Sequence, residues 1–150
     1  MGAPAHPASR TMRRATNDDA GALIGVVIVD DQLVFRRAAR EVVAAASPEF
    51  VVIGEASSGE HALAVVDDLR PDLVIVDVRM AGMDGIETTK RLTAAHPEAV
   101  VVLVTVEDPL NLPAEVGFCG AADLVRKQDF RPALLRRLWR AHWGGRPHSP

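Results

Sequence analysis

The sequence predicts an α/β fold, a doubly wound five-stranded parallel sheet flanked by helices in the order (βα)5. Short runs dominated by β-branched residues alternate along the chain with longer segments of helical spacing, and runs such as Leu73-Val74-Ile75-Val76 are apolar on both faces. A strand that is apolar on both sides needs cover on both sides, as in a parallel sheet between two layers of helices. Right-handed crossovers between such strands then give the doubly wound arrangement.

In chain order, the strands fall at 26–29, 50–54, 73–76, 100–104 and 124–125. A helix is predicted over 32–46, where Leu33, Phe35, Ala39, Val42, Val43 and Ala46 lie near one face. Ser57 with Glu60 makes a capping box for the next helix, which Leu69-Arg70-Pro71 closes. Similar spacing places helices over 86–95 and 132–142, and a short helix is expected over 111–119 with Pro113 in its first turn. Asp84 and Asp108 read as turn or cap residues. Trp139 shares a helical face with Leu135 and Leu138 and is expected to pack against its own sheet.

A length of 150 residues suits one ordinary domain, expected over 23–142, and leaves little room for a second folded module. Residues 1–22 are rich in Ala, Pro, Ser, Asp and Arg without periodicity and are expected to form a disordered tail; 143–150, rich in Gly and Pro, form a second, flexible one. Apolar residues make up 48% and charged residues 25%, which argues against wholesale disorder and fibrous repeats. The net charge of −3, with both signs interspersed, gives no field that would gather nucleic acid or anionic lipid, so no direct DNA binding is expected. The single cysteine, Cys119, excludes an internal disulfide and a cysteine-rich zinc site, which fits a reducing cytoplasm. No apolar run approaches the roughly 20 residues needed to span a bilayer.

In a doubly wound sheet ligands bind beyond the carboxyl ends of the strands, near the switch in strand order. The residues at those ends are Asp30 and Asp31 after the first strand, Asp77 after the third, Thr105 after the fourth and Lys127 after the fifth. Singly, each has a plainer reading: acids after a strand are commonly solvated caps, a threonine there satisfies backbone groups, and a lysine is surface charge. Together they place three carboxylates in one cleft, where full ionisation at neutral pH needs a cation, and an all-oxygen site suits Mg²⁺.

These residues resemble the receiver domain of two-component response regulators over about 24–142. Val27-Ile28-Val29-Asp30-Asp31-Gln32 is similar to its acidic pair, Leu73-Val74-Ile75-Val76-Asp77-Val78-Arg79-Met80 to its phosphoacceptor strand, and Gly82-Met83-Asp84-Gly85 to the loop that follows. Leu103-Val104-Thr105 resembles the switch hydroxyl motif, and Gly120-Ala121 with Val125-Arg126-Lys127 the lysine segment. The resemblance implies a flavodoxin-like sheet and a phosphorylation switch. Asp77 would take a phosphoryl group from a histidine kinase or phosphotransfer protein, with Thr105 and Lys127 acting on the phosphoryl oxygens. Mg²⁺ would be held by Asp31, Asp77 and the Arg79 backbone carbonyl, with Asp30 acting mainly through water. It further implies slow autodephosphorylation rather than substrate turnover, a downstream protein effector, and a monomer or phosphorylation-dependent dimer. With no helix-turn-helix or enzyme module following residue 142, a stand-alone type is expected.

Alternatives remain at this level. A phosphohydrolase with an aspartate nucleophile needs an acid two residues on, where this chain has Arg79. A phosphorylation-independent scaffold is disfavoured by the intact set of five residues. The chain also departs from the family pattern: Ala81 stands where proline is common, Val106 where a small residue is common, and Leu124 where a rotating Tyr or Phe is usual. With Leu124, either the output surface responds through helix movement alone or the domain is a phosphoryl carrier. Val106 should narrow access to the phosphorus and slow hydrolysis. A Val106→Ala variant is therefore expected to lose its aspartyl phosphate several-fold faster than the parent, followed by intact mass over time; an unchanged half-life would remove the steric explanation.

Overall fold

The computed structural model describes residues 23–142. The tails expected over 1–22 and 143–150, and Trp143 with the second, lie outside the described residues. Five strands form one parallel sheet: β1 (Ile24–Val29), β2 (Phe50–Ala56), β3 (Leu73–Asp77), β4 (Val100–Thr105) and β5 (Asp123–Arg126). Their order is β2-β1-β3-β4-β5, so the chain moves outward from β1 in one direction to β2 and in the other to β3, and the switch point lies between β1 and β3. Four α-helices flank the sheet: α1 (Leu33–Ala45), α2 (Gly59–Leu69), α3 (Gly85–Ala95) and α4 (Pro132–His142).

The period of two along each strand divides the core into two layers. Val27, Val29, Val74, Val76, Val101 and Leu103 pack with Ala62 and Val66 of α2 and Ile86 and Leu92 of α3. The alternate residues Val26, Ile28, Leu73, Ile75, Val100 and Val102 pack with Ala39 and Val43 of α1 and Leu135 and Leu138 of α4. Burying a Val, Ile or Leu side chain contributes about 1.5–3 kcal/mol, and these strands bury side chains on both faces. Trp139 packs as expected, edge-on to Phe50 with ring centroids 6.3 Å apart. Among the described residues no helix is long and apolar enough to cross a membrane.

Three local expectations are corrected. The fourth crossover holds no α-helix over 111–119 but two 3-10 turns, Pro109–Asn111 and Ala114–Gly117. Pro113 is the reason: it forces Leu112 into extended backbone (φ −89°, ψ 157°), splitting the segment. The sequence that remains before Gly117 is too short for a stable α-helix. The cap of α2 is Ser58, not Ser57: its side chain accepts the His61 N–H at 3.0 Å. Leu33 is 48% exposed and does not join the buried face of α1. Arg70, left-handed at φ 50°, closes α2 before Pro71, and Asp84 and Asp108 cap as expected, accepting the N–H groups of Glu87 and Leu110.

The loop from β3 into α3 depends on a glycine. A Cβ on Gly85 would lie 2.1 Å from the Asp77 carbonyl oxygen, and the Gly85 N–H donates to the Val78 carbonyl at 2.9 Å. The start of α3 is thereby seated directly on the end of β3, and neither backbone can yield without moving Asp77. Gly85→Ala is expected to lower stability by about 2–3 kcal/mol, read as a shift of the urea midpoint with unchanged slope.

Candidate functional site

Parallel pairing brings the strand ends to one edge. Asp77 ends β3 opposite Val104 of β4, and Thr105 pairs with Arg126 of β5, one residue before Lys127. Asp30 and Asp31 follow β1, which lies on the other side of β3. One carboxylate oxygen from each of Asp30, Asp31 and Asp77 lies within 4.8 Å of the others. Asp30 and Asp77 are buried, whereas Asp31 is exposed at the mouth.

Lys127 closes the inner side of this cleft. Its Nζ is 2.6 Å from Asp30 Oδ2 and 3.6 Å from Asp77 Oδ1, and it lies over the Phe35 ring at 4.4 Å from the centroid. The ring contributes a further attraction to the ammonium. One ammonium does not balance three carboxylates, and Asp77 shows the deficit. Its pKa is raised from 3.8 to about 6, first by burial and next by the Asp30 carboxylate, with a smaller push from Asp31; Lys127 and the Arg79 N–H pull it down.

The remaining groups hold the cleft in shape. Asp30 is held through its backbone and one carboxylate oxygen: its N–H donates to the Ala56 carbonyl at 3.1 Å, its Oδ1 accepts the Gln32 N–H at 2.8 Å, and its carbonyl accepts from Arg36 Nη1 at 2.6 Å. Asp31 Oδ2 accepts the Ala81 N–H at 3.1 Å, a bond that proline at this position would forbid. Thr105 Oγ1 accepts the Glu107 N–H at 3.0 Å, so its own proton is left to donate elsewhere. The Arg79 N–H faces Asp77 Oδ1 at 3.4 Å, and its guanidinium pairs with Glu107 at 2.7 Å.

The cleft fits a hard divalent cation on two grounds. Its donors are all oxygen, and Asp30 Oδ2 is a buried acceptor that receives no aligned hydrogen bond, its contact with Lys127 being one of charge. The structure thus brings Asp30, Asp31, Asp77 and Lys127 together, and sets Thr105 at the neighbouring strand end. It also adds Arg36, Glu55 and Phe35, which sequence reasoning did not place at the site, and gives Ala81, noted there only as a departure from the family pattern, a bond to Asp31. Of the first three only Glu55 carried a signal, as the single charged residue within β2. Arg36 and Phe35 act through contacts between separate elements and through a ring face.

The model of the response regulator receiver domain matches residues 26–138. The chain is 38% identical to the response regulator GacA of Pseudomonas viridiflava over 130 residues, covering 85% of this chain and 59% of that protein. Among solved structures, the signal receiver domain of the response regulator NarL from Mycobacterium tuberculosis superposes with a TM-score of 0.69 at 26% identity, covering 83% of this chain and 98% of that one. The chemotaxis protein CheY4 of Vibrio cholerae gives 0.68 at 28% identity, covering 79% and 98%. The chain spans about half the length of the curated relatives it matches. By this match, by the strand order of its sheet and by the acids at the switch point, the chain belongs to the receiver domains of two-component response regulators.

Proposed function

We propose that Asp77 is the phosphoacceptor and that the cleft around it receives the phosphoryl group from a phosphohistidine on a kinase or phosphotransfer protein. The observation that carries this reading is the contact of one lysine with two buried carboxylates, beside a third, at the sheet's switch point. An ionised Asp77 oxygen forms the new O–P bond while the P–N bond breaks, and the electron pair leaves with the imidazole ring. Lys127 is within reach of the charge on the transferring oxygens, and the Thr105 hydroxyl, which already accepts from Glu107, donates to one of them. Asp31, Asp77 and the Arg79 carbonyl would hold Mg²⁺, with Asp30 acting through water; the ion, when bound, supplies positive charge to the phosphoryl oxygens.

Such a reaction yields a state, not a product stream, and the bound phosphoryl group is read at the surface next to Thr105. In this chain that surface is made of the two 3-10 turns, β5 and the start of α4, where a cavity of about 890 Å³ is lined by Pro109, Leu124, Arg126 and Leu134 among others. A downstream protein docking there is the proposed readout.

Two outcomes test the acceptor. Incubated with a small phosphodonor and Mg²⁺, the parent chain is expected to gain one phosphate by intact mass, and Asp77→Asn none; a phosphate retained by the variant would move the acceptor elsewhere. The second outcome is pH-dependent. The folded chain holds the Asp77 proton more tightly than the unfolded chain, because its pKa is about 6 rather than 3.8. Without a divalent cation, stability therefore falls as pH rises through that interval, and a cation that needs the ionised carboxylate binds more weakly as pH falls through 6. Mg²⁺ is expected to raise the melting temperature by roughly 5 °C at neutral pH and to lose that effect towards pH 5. An equal rise at both pH values would show that the cation does not use Asp77.

A further inference from the structure

We propose that Arg36, held by Glu55, is a positioning residue that fixes the Asp30–Asp31 turn in the geometry that takes a divalent cation. The inference rests on the reading of the cleft given above. Arg36 lies in the first turn of α1, and its side chain is only 16% exposed. Its Nη1 donates to the Asp30 carbonyl at 2.6 Å and its Nε to Glu55 Oε1 at 3.1 Å. Glu55 sits near the end of β2, paired with Ile28 of β1, and its other oxygen is held by Arg40, one turn further along α1. One guanidinium thus ties together the end of β1, the end of β2 and the helix between them.

Helix stability does not account for this arginine. A cation in the first turn opposes the helix dipole, α1 has no acidic residue in that turn, and its cap Gln32 makes no side-chain hydrogen bond. What Arg36 contributes is a rigid, planar fork that can serve two acceptors at once. Pairing with Glu55 also offsets its charge, so a cation so near the acids competes less with the one they are to bind.

Position and charge predict opposite signs, which makes the role testable. By charge alone, replacing Arg36 with a neutral residue removes a repulsive neighbour and should tighten Mg²⁺ binding. By position, the loss frees the Asp30 carbonyl and its turn and should weaken it. Titration calorimetry of the full chain with MgCl₂ at neutral pH is expected to show about tenfold weaker binding for Arg36→Gln, the scale on which outer partners of metal ligands act. Arg36→Lys keeps the charge but replaces the two nitrogens that face the two acceptors with one, so it should be weakened as well, and it covers the case in which Arg36→Gln does not fold. Binding by Arg36→Gln as tight as the parent's or tighter, or full affinity in Arg36→Lys, would overturn the role while leaving Asp77 as acceptor untouched. A parent that binds no Mg²⁺ would overturn both readings together.

Discussion

Repulsion among three carboxylates, only partly offset by a single ammonium, is the constraint on which the rest of this molecule depends. Asp30, Asp31 and Asp77 come within 4.8 Å of one another, and Lys127 contacts Asp30 and Asp77. At effective dielectrics of about 20, charges 4 Å apart interact by about 4 kcal/mol, so such a cluster persists only where the surrounding fold fixes it. Here the fixing elements are backbone groups: the Ala56 carbonyl at the end of β2 accepts from Asp30, and the Arg79 and Ala81 amides of the loop after β3 face Asp77 and Asp31.

The doubly wound sheet supplies that rigidity at small local expense. Its central strands β1 and β3 are buried on both faces, and their ends present Asp30 and Asp77 on either side of the switch point. Asp72 ties the opposite ends of the same strands: its Oδ2 accepts the Gly25 N–H at 2.8 Å, and its N–H donates to the Gly25 carbonyl at 2.9 Å. Strands held at both ends transmit no slack to the cleft. Gly85 completes the arrangement, because only a residue without Cβ lets α3 begin against the Asp77 carbonyl.

Those elements were legible in the sequence to the extent that they depend on apolar pattern. Each strand lies within two residues of its predicted bounds, and four helices appear where spacing placed them, since burial on both faces leaves a continuous β-branched signature. The four charged site residues were legible because they stand where those runs end. What was hidden depends on other physics. The capping box at Ser57 matched a residue pattern, but Ser58 is the residue whose extended backbone aims its oxygen at the His61 N–H. The helix expected over 111–119 failed because Pro113 acts on the residue before it. Arg36 and Glu55 are 19 residues apart, and nothing in either one's neighbourhood announces the other.

The last of these physical links runs from the cleft outward. The Glu107 N–H rests on Thr105 Oγ1, and the Glu107 carboxylate pairs with Arg79 in the loop after β3. A hydroxyl that donates to a phosphoryl oxygen while it accepts from Glu107 couples the two, and Glu107 lies two residues before the 3-10 turns that replace a helix in the fourth crossover. Short 3-10 turns have poorer hydrogen-bond geometry than an α-helix and yield more readily. Leu124 carries no ring to swing, and it stays half-buried against the core. On the proposed function, the route by which the site reaches the surface is therefore the backbone of residues 105–117, with Thr105 at one end and the exposed Leu110 beyond it.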